Sequence, residues 1–233
     1  MIGHTALFPM FALVLAACAP LVVMSRPTPT PTPPQPQTVI RLPEPRTRGP
    51  LSLEETLARR RSVRAYTPEP LTLAEIGQLL WAAQGITDPE GRRTAPSAGA
   101  RYPLEVYVVL PEAVYHYRPH PHELRLHLPG DRRPALYEAA LAQEAVLTAP
   151  AVIVITAVYR RTAERYGAQR TPRYVHMEVG HAAQNVLLQA VGLGLGSVPI
   201  GAFYDDRVRE VLALPAEHEP LYLLPVGHPA APR

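Results

Sequence analysis

The sequence predicts an α+β fold with a central mixed or antiparallel sheet flanked by helices. Helix signals come first, three strand-like segments then follow one another with no helix between them, and helices and strands are interspersed towards the end. A parallel sheet would require regular β-α-β alternation, which the chain lacks. Hydrophobic residues make up 47% of the 233 residues, which suits one globular domain with a sizeable core.

Two capping boxes mark the first helices. In residues 52–55 (SLEE) and 72–75 (TLAE), a hydroxyl residue precedes a glutamate by three positions, the pattern in which each side chain caps the other's backbone amide. We expect the first helix to run to about Arg61. The second should run through Gln84, where Gly85 ends it.

The predicted strands are rich in β-branched and aromatic residues, which favour extended structure. They are residues 104–110, a hairpin of 114–118 and 123–128 around Pro119-His120-Pro121, then 151–159, 197–200 and 220–226. The segment 151–159 is a continuous apolar run, as expected of a buried strand.

Three further helices are expected. One runs from its cap Asp131 to about residue 148, and a last one is capped by Asp205 or Asp206. The longest spans about residues 171–193, with Pro172 at a first-turn position that proline suits. Its second half is apolar nearly all round, so we expect it at the centre of the fold.

Residues 1–24 are predicted to be a signal peptide or membrane anchor. Residues 6–24 are almost wholly apolar, and residues 15–18 (LAAC) match the lipobox in which a bacterial lipoprotein is lipidated on cysteine. This predicts a membrane-attached envelope lipoprotein modified at Cys18. Because the leading residues lack the positive charge of a signal peptide, an uncleaved span and a cytoplasmic protein starting at Met24 stay open.

Residues 25–50 are predicted to be a proline-rich, disordered tether. The stretch 27–34 (PTPTPTPP) can form neither helix nor sheet, because proline lacks the amide donor. An extended polyproline chain would hold the folded domain, residues 51–233, away from a membrane.

Every fixed side-chain cation is an arginine, and the formal net charge is +3. Arginine favours bidentate recognition of phosphate or carboxylate, although GC-rich coding accounts for most of these residues. They are scattered with few aromatic residues between them, which argues against nucleic-acid binding. The single cysteine excludes a disulfide within one chain and a cysteine metal cluster.

Three segments carry candidate chemistry. Arg60, Ser62 and Arg64 would share one side of an extended chain and could surround a phosphate, or they could form an ordinary solvated helix end. Residues 94–103 (TAPSAGARYP) combine small residues with a glycine, so their backbone could approach a flat ligand. Residues 192–203 (GLGLGSVPIGAF) are not a Rossmann motif, because their glycines follow a helix.

Together these segments, R-R-S-x-R, P-S-x-G-x-x-Y-P and G-L-G-x-x-P-I-G-x-F, resemble the nitroreductase superfamily. Residues 93–99, 178–185 and 219–227 most resemble its SagB/ThcOx-type dehydrogenase branch. The resemblance implies an α+β sandwich that forms a homodimer and binds FMN at the dimer interface. It also implies an FMN-dependent oxidoreductase that transfers hydride through the flavin N5 between a donor such as NAD(P)H and an organic acceptor.

The resemblance also implies which residues hold the cofactor. The arginine-serine cluster would bind the phosphate and ribityl chain, while the P-S-x-G loop and the P-I-G segment would lie against the ring. The matching residues are Arg60, Arg61, Ser62, Arg64, Pro96, Ser97, Ala98, Gly99, Pro199, Ile200, Gly201 and Ala202. Arg233 is the one tail residue that could reach the phosphate.

Tyr166 is the catalytic candidate. Azoline-oxidising members of the branch are thought to use a lysine-tyrosine pair, and Arg165-Tyr166 stands in its place. Arginine is not a base at neutral pH, so only the tyrosine could move a proton, and loop packing is its alternative role.

Two other functions stay open: a non-catalytic flavin-fold binding module tethered to the envelope, and a maturation partner in a modified-peptide cluster. Export would separate the protein from NAD(P)H and make a quinone or another redox protein the donor. No metal is expected, since the hairpin histidines (116, 120, 122 and 127) lack a recognised ligand spacing. We interpret Glu178, His181 and Asn185, which share a helix face, as a solvated or dimer-contact stripe, with a catalytic set as the alternative.

Overall fold

A computed structural model describes residues 1–3 and 38–230, and residues 38–230 form an α+β sandwich. Its sheet has seven strands: β1 (Val39–Arg41), β2 (Leu104–Val109), β3 (Ala113–Arg118), β4 (Glu123–Pro129), β5 (Ala151–Ala157), β6 (Gly196–Ser197) and β7 (Glu219–Gly227). Their order is β1-β4-β3-β2-β5-β7-β6, and each neighbouring pair is antiparallel. The predicted fold class is confirmed, with the antiparallel alternative realised.

The described part contains seven α-helices. They are α1 (Leu53–Arg59), α2 (Leu73–Gln84), α3 (Arg133–Ala139), α4 (Glu144–Thr148), α5 (Tyr159–Tyr166), α6 (Thr171–Gly192) and α7 (Asp205–Val211). Both predicted capping boxes are present. In the first, the Glu55 amide donates to Ser52 Oγ at 3.1 Å, and the Ser52 amide donates to Glu55 Oε2 at 2.9 Å.

The core lies in two layers, one on each face of the sheet. On one face α2 and α6 pack against alternate residues such as Val106, Val108 and Ile153. On the other, α3, α4 and α7 pack against the intervening residues, among them Val109 and Val152. The long helix α6 is confirmed as a central element, because one of its faces is buried along most of its length.

Several expected elements differ in detail. The helix expected over residues 131–148 is two helices, because Leu141 and Ala142 adopt left-handed backbone angles (φ 58° and 54°) that interrupt it. Helix α5 was not predicted, because its sequence is strongly polar and buries little beyond Thr162. Asp205 and Asp206 lie in the first turn of α7 rather than at its cap, where negative charge still suits the helix dipole.

The segment expected to be a tether is partly folded. Val39–Arg41 pairs with Glu123–Arg125 as the edge strand β1, and Leu42 behind it is buried. These apolar residues differ from the preceding Pro-Thr repeats, so the folded region begins before residue 51. The predictions on Cys18, on residues 4–37 and on Arg233 lie outside the described residues. Within residues 38–230, no helix is long and apolar enough to cross a membrane.

Candidate functional site

The arginine segment that follows α1 is bound along the edge strand β6. Ser62 forms a parallel bridge with Ser197, and the Val63 amide donates to the Ser197 carbonyl at 3.0 Å. The Tyr66 hydroxyl donates to the carbonyl of Val63 at 2.6 Å and also lies 3.0 Å from that of Pro225. The segment is therefore extended, as predicted, and held from two sides.

Its side chains offer uncompensated positive charge. Arg60 is half-buried and Arg64 exposed, and neither makes a side-chain hydrogen bond or ion pair with any residue in the described part of the chain. The Oγ of neighbouring Ser197 is buried without a hydrogen-bond partner. Arg61 differs, because its guanidinium donates to backbone carbonyls at the end of α1. Two guanidinium groups without a partner in one short extended segment suit a phosphate.

The P-I-G segment continues directly from β6. Ile200 exchanges backbone hydrogen bonds with Leu223 of β7 at 2.9 and 3.0 Å. The Ala202 carbonyl accepts a hydrogen bond from Gln143 at 2.9 Å, and Gly201 is exposed. The structure thus brings residues 199–202 and the arginine segment to the same edge of the sheet, next to β6.

The P-S-x-G loop lies elsewhere, against α5 and the start of α6. Gly99 has φ 60°, and a Cβ built on it would stand 2.7 Å from Arg165 Cδ and 2.9 Å from the Tyr166 hydroxyl. The Ser97 hydroxyl accepts from the Tyr102 amide at 2.8 Å. Tyr166, the predicted catalytic residue, is therefore in direct contact with the loop predicted to face the ring.

Glu178 on α6 is part of this second group, and the sequence analysis did not connect it with the loop. It is 2% exposed, and its Oε1 has no hydrogen-bond partner. Burial raises the pKa of this carboxyl to about 7, although a hydrogen bond from Ser97 and the charge of Arg93 oppose the rise. The signal was present in the sequence, because Glu178 lies at helical spacing between the buried Val175 and Ala182.

The interpretation of Glu178, His181 and Asn185 as one stripe is wrong. His181 is exposed, whereas Glu178 is buried. Asn185 donates to the Thr94 carbonyl at 3.3 Å and so supports the loop rather than facing solvent. The three residues share a helical spacing but not an environment.

Within one chain, the two groups lie towards opposite ends of α6. Glu178, beside Ser97, is 14 residues before Gly192, where the helix ends and leads into Ser197. At 1.5 Å per residue the separation along the helix is about 21 Å. No hydrogen bond among the described residues joins 60–64 to 96–99.

The histidines of the hairpin are separately engaged. His116 Nε2 lies 2.6 Å from Glu105 Oε2, and His127 Nε2 lies 2.9 Å from the Leu212 carbonyl. His122 lies between the Tyr117 hydroxyl and a backbone carbonyl. Residues 38–230 contain no group of three or more histidine, cysteine or acidic residues that could hold a metal ion.

Comparison with known proteins identifies relatives over this whole region. Residues 57–228 match the model of the nitroreductase family. The "Putative nitroreductase MJ1384" of Methanocaldococcus jannaschii is 49% identical over 183 residues, covering 76% of this chain and 91% of that protein. The crystal structure of a "putative nitroreductase" from Ralstonia eutropha JMP134 superposes with a TM-score of 0.76 at 32% identity, covering 84% of this chain and 91% of that one.

A more distant relative has a named role in peptide processing. The "Trifolitoxin-processing protein TfxB" of Rhizobium leguminosarum bv. trifolii is 30% identical over 169 residues. The match covers 65% of this chain and 45% of that protein. The similarity therefore extends over less than half of the relative.

Proposed function

The chain belongs to the nitroreductase family, and we propose that it is an FMN-dependent oxidoreductase whose cofactor sites are each built from both subunits of a homodimer. The single observation that carries the proposal is the arginine segment held along β6, where the unpartnered side chains of Arg60 and Arg64 flank Ser62, the residue that bridges to Ser197. Family membership supports an oxidoreductase, and this arrangement supports FMN as its cofactor.

The residues present fit FMN. Arg60 and Arg64 would hold its phosphate, where a charge-assisted hydrogen bond contributes about 1.5–3 kcal/mol. The backbone from Pro199 to Ala202, which leads away from this point, would lie along the ring. FMN supplies hydride transfer at N5 when bound, so the protein's task is to orient the ring and exclude water.

Two subunits are needed because one chain keeps the arginines and the P-S-x-G loop at opposite ends of α6. A two-fold axis beside this helix would place the partner's loop near the arginines, as isologous dimers allow. Exposed apolar residues near this surface, Leu53 (61%), Leu57 (51%) and Met177 (54%), support such an interface.

Tyr166 is the candidate proton donor. Its hydroxyl lies against Gly99 in the loop that would approach the ring. The Tyr166→Phe variant should lower turnover while FMN content stays unchanged. Equal turnover would assign this tyrosine a packing role.

The finer assignment to the SagB-type dehydrogenase branch is also a proposal. The likeness to a trifolitoxin-processing protein and the position of Arg165-Tyr166 beside Gly99 support it. A partner-dependent role in peptide maturation is the second candidate that the same observations favour. Oxidation of an azoline-containing peptide by the purified chain, alone and with added partner proteins, would separate the two.

The cofactor test begins with the visible spectrum of the purified full-length protein. Flavin bands near one FMN per chain, bleached by NADH or NADPH and restored by a quinone or nitroaromatic acceptor, would support the proposal. A colourless protein that does not bind added FMN would overturn it and favour a non-catalytic module.

Mixed dimers test the two-subunit site. Arg64→Ala removes a phosphate ligand from one chain, and Ala98→Trp places an indole where the ring would lie in the other. If each site uses both subunits, the heterodimer regains one intact site of two, although either homodimer has none. If each site is made by one chain, the heterodimer regains nothing.

Attachment to the envelope through Cys18 stays a proposal that rests on the LAAC motif alone. Cys18→Ser should move the protein from the membrane fraction to the soluble fraction and abolish labelling by a fatty-acid probe. A variant that stays in the membrane fraction would favour an uncleaved span, and a wild type found in the soluble fraction would favour the start at Met24, with cytoplasmic NAD(P)H as donor.

A further inference from the structure

A polar cavity, apart from the site described above, opens where β2 and β3 separate. Their ladder runs from Val109↔Val114 to Tyr107↔His116 and stops there. Yet β2 stays paired with β5 back to Leu104, and β3 stays paired with β4. The resulting gap is a cavity of about 310 Å³ that is lined in part by side chains from the end of α2 and from α5.

The lining carries more positive than negative charge. It includes Arg93, Arg118 and Arg161 but only one carboxylate, Glu105. Glu105 is already engaged, since it pairs with Arg161 and lies 2.6 Å from His116 Nε2. Arg93 and Arg118 form no ion pair within the described residues, although Glu105 and Glu178 lie close enough to Arg93 to act on its charge.

Those two arginines differ in depth. Arg93 is half-buried, stacks its guanidinium 4.5 Å above the Tyr102 ring, and donates to Gln84 Oε1 at 2.7 Å. Burial lowers the pKa of Arg93, and the charges of Glu105 and Glu178 oppose this shift without outweighing it. Arg118 is exposed at the mouth, and its side chain has no hydrogen-bond or ion-pair partner within the described ranges.

Gln84 adds an unsatisfied donor. Its side chain is fully buried in the cavity wall, and the bond from Arg93 identifies which amide atom is the oxygen. The Nε2 on the other side has no hydrogen-bond partner. A buried donor without an acceptor costs about 1–3 kcal/mol, so this position favours negative charge in the cavity beside it.

We propose that this cavity is a binding site for a small oxyanion, a carboxylate or phosphate compound, held by Arg93, Arg118 and Gln84. Its donors outnumber its free acceptors, which excludes a cation and disfavours an apolar guest. The planar guanidinium groups suit the paired oxygens of either anion. The lining contains none of residues 60–64, although Arg93 stacks on Tyr102 of the loop that would lie against the flavin ring.

Direct titration of the full-length protein, as purified, tests the site. Inorganic phosphate and succinate are added at constant ionic strength against chloride, and binding is followed by calorimetry and by the midpoint of thermal unfolding. The wild type should bind at least one of them. The anion that binds more tightly indicates whether the natural ligand is a carboxylate or a phosphate compound. Binding of neither anion overturns the proposal.

Substitutions test which residues bind the anion. Arg118→Gln should weaken binding at least tenfold, and Gln84→Met should weaken it independently. Arg41→Gln, which removes an exposed strand arginine outside the cavity, should bind as the wild type does. With FMN saturating, so that the proposed FMN phosphate site is filled, Arg64→Gln should also bind normally. Normal binding by Arg118→Gln, or loss of binding in Arg64→Gln, overturns the assignment.

Discussion

The Tyr166 hydroxyl stands 2.9 Å from the point that a Cβ at residue 99 would occupy. Only glycine allows this approach, and its φ of 60° independently favours glycine. The contact joins the loop predicted to face the cofactor to the one tyrosine predicted to move a proton.

Gly99→Ala should therefore destabilise the protein by more than its backbone conformation alone requires. The left-handed conformation costs an alanine about 1–2 kcal/mol, and the clash with Arg165 and Tyr166 adds to that. Gly91→Ala is the matched control, because Gly91 has φ 79° and open space around it. Denaturant unfolding should show the larger loss at residue 99, and equal losses would contradict the contact.

Glu178→Gln should stabilise the protein at alkaline pH. The folded-state pKa of about 7 lies above the ordinary value of 4.5, so the folded protein loses stability as pH rises from 4.5 to 7. At pH 8 the variant should gain at most about 3 kcal/mol, and below pH 4.5 it should gain nothing from this source. Unfolding free energies at both pH values measure this.

The control for Glu178 is Glu210→Gln, which changes an exposed glutamate on α7. It should show no pH-dependent gain. A Glu178→Gln variant that is less stable than the wild type at pH 8 would contradict the prediction, because the ionised carboxylate would then stabilise the fold.

Glu105→Gln should change the free energy of unfolding in the opposite direction from Glu178→Gln, with the loss at neutral rather than acidic pH. Burial acts to raise the pKa of Glu105, but hydrogen bonds from His116 and Arg161 and the Arg161 charge outweigh it and lower the pKa to about 2. The ionised group therefore stabilises the fold above pH 4.5, and this contribution is lost as pH falls towards 2. The variant should lose about 3 kcal/mol at pH 7 and much less near pH 2. A loss that is the same at both pH values would contradict the pairing.

Arg64→Ala should weaken FMN binding by roughly one to two orders of magnitude, the loss of a charge-assisted bond of about 1.5–3 kcal/mol. Quenching of flavin fluorescence during titration measures the dissociation constant. Arg59→Ala is the control, because Arg59 pairs with Glu55 on the exposed side of α1. Unchanged affinity in Arg64→Ala would place the phosphate elsewhere.

Local signals in the sequence were reliable where the contacts they describe are local. The capping boxes at Ser52 and Thr72 form as predicted, because each involves residues three positions apart. The start of α6 at Thr171-Pro172 follows from the fixed φ of proline. The break at Leu141 and Ala142 carried no glycine or proline and so gave no signal.

Long-range features were beyond such reasoning. The environment of Glu178 depends on Ser97, which is 81 residues away in the chain, and its raised pKa comes from burial that helical spacing only suggests. The strand β1 falls within the predicted tether. Its three residues pair only with β4, more than 80 positions away, so no local pattern indicates a strand there.

The amino-acid sequence by itself determined the fold class, the family and the identity of the arginine segment, because periodicity, caps and short motifs depend on near neighbours. Only the tertiary structure decided that Ser62 and Ser197 lie together, that the P-S-x-G loop faces Tyr166, and that β2 and β3 part around a cavity. Those arrangements depend on how the strands order and where their ladders end, and both follow from packing between segments distant in sequence.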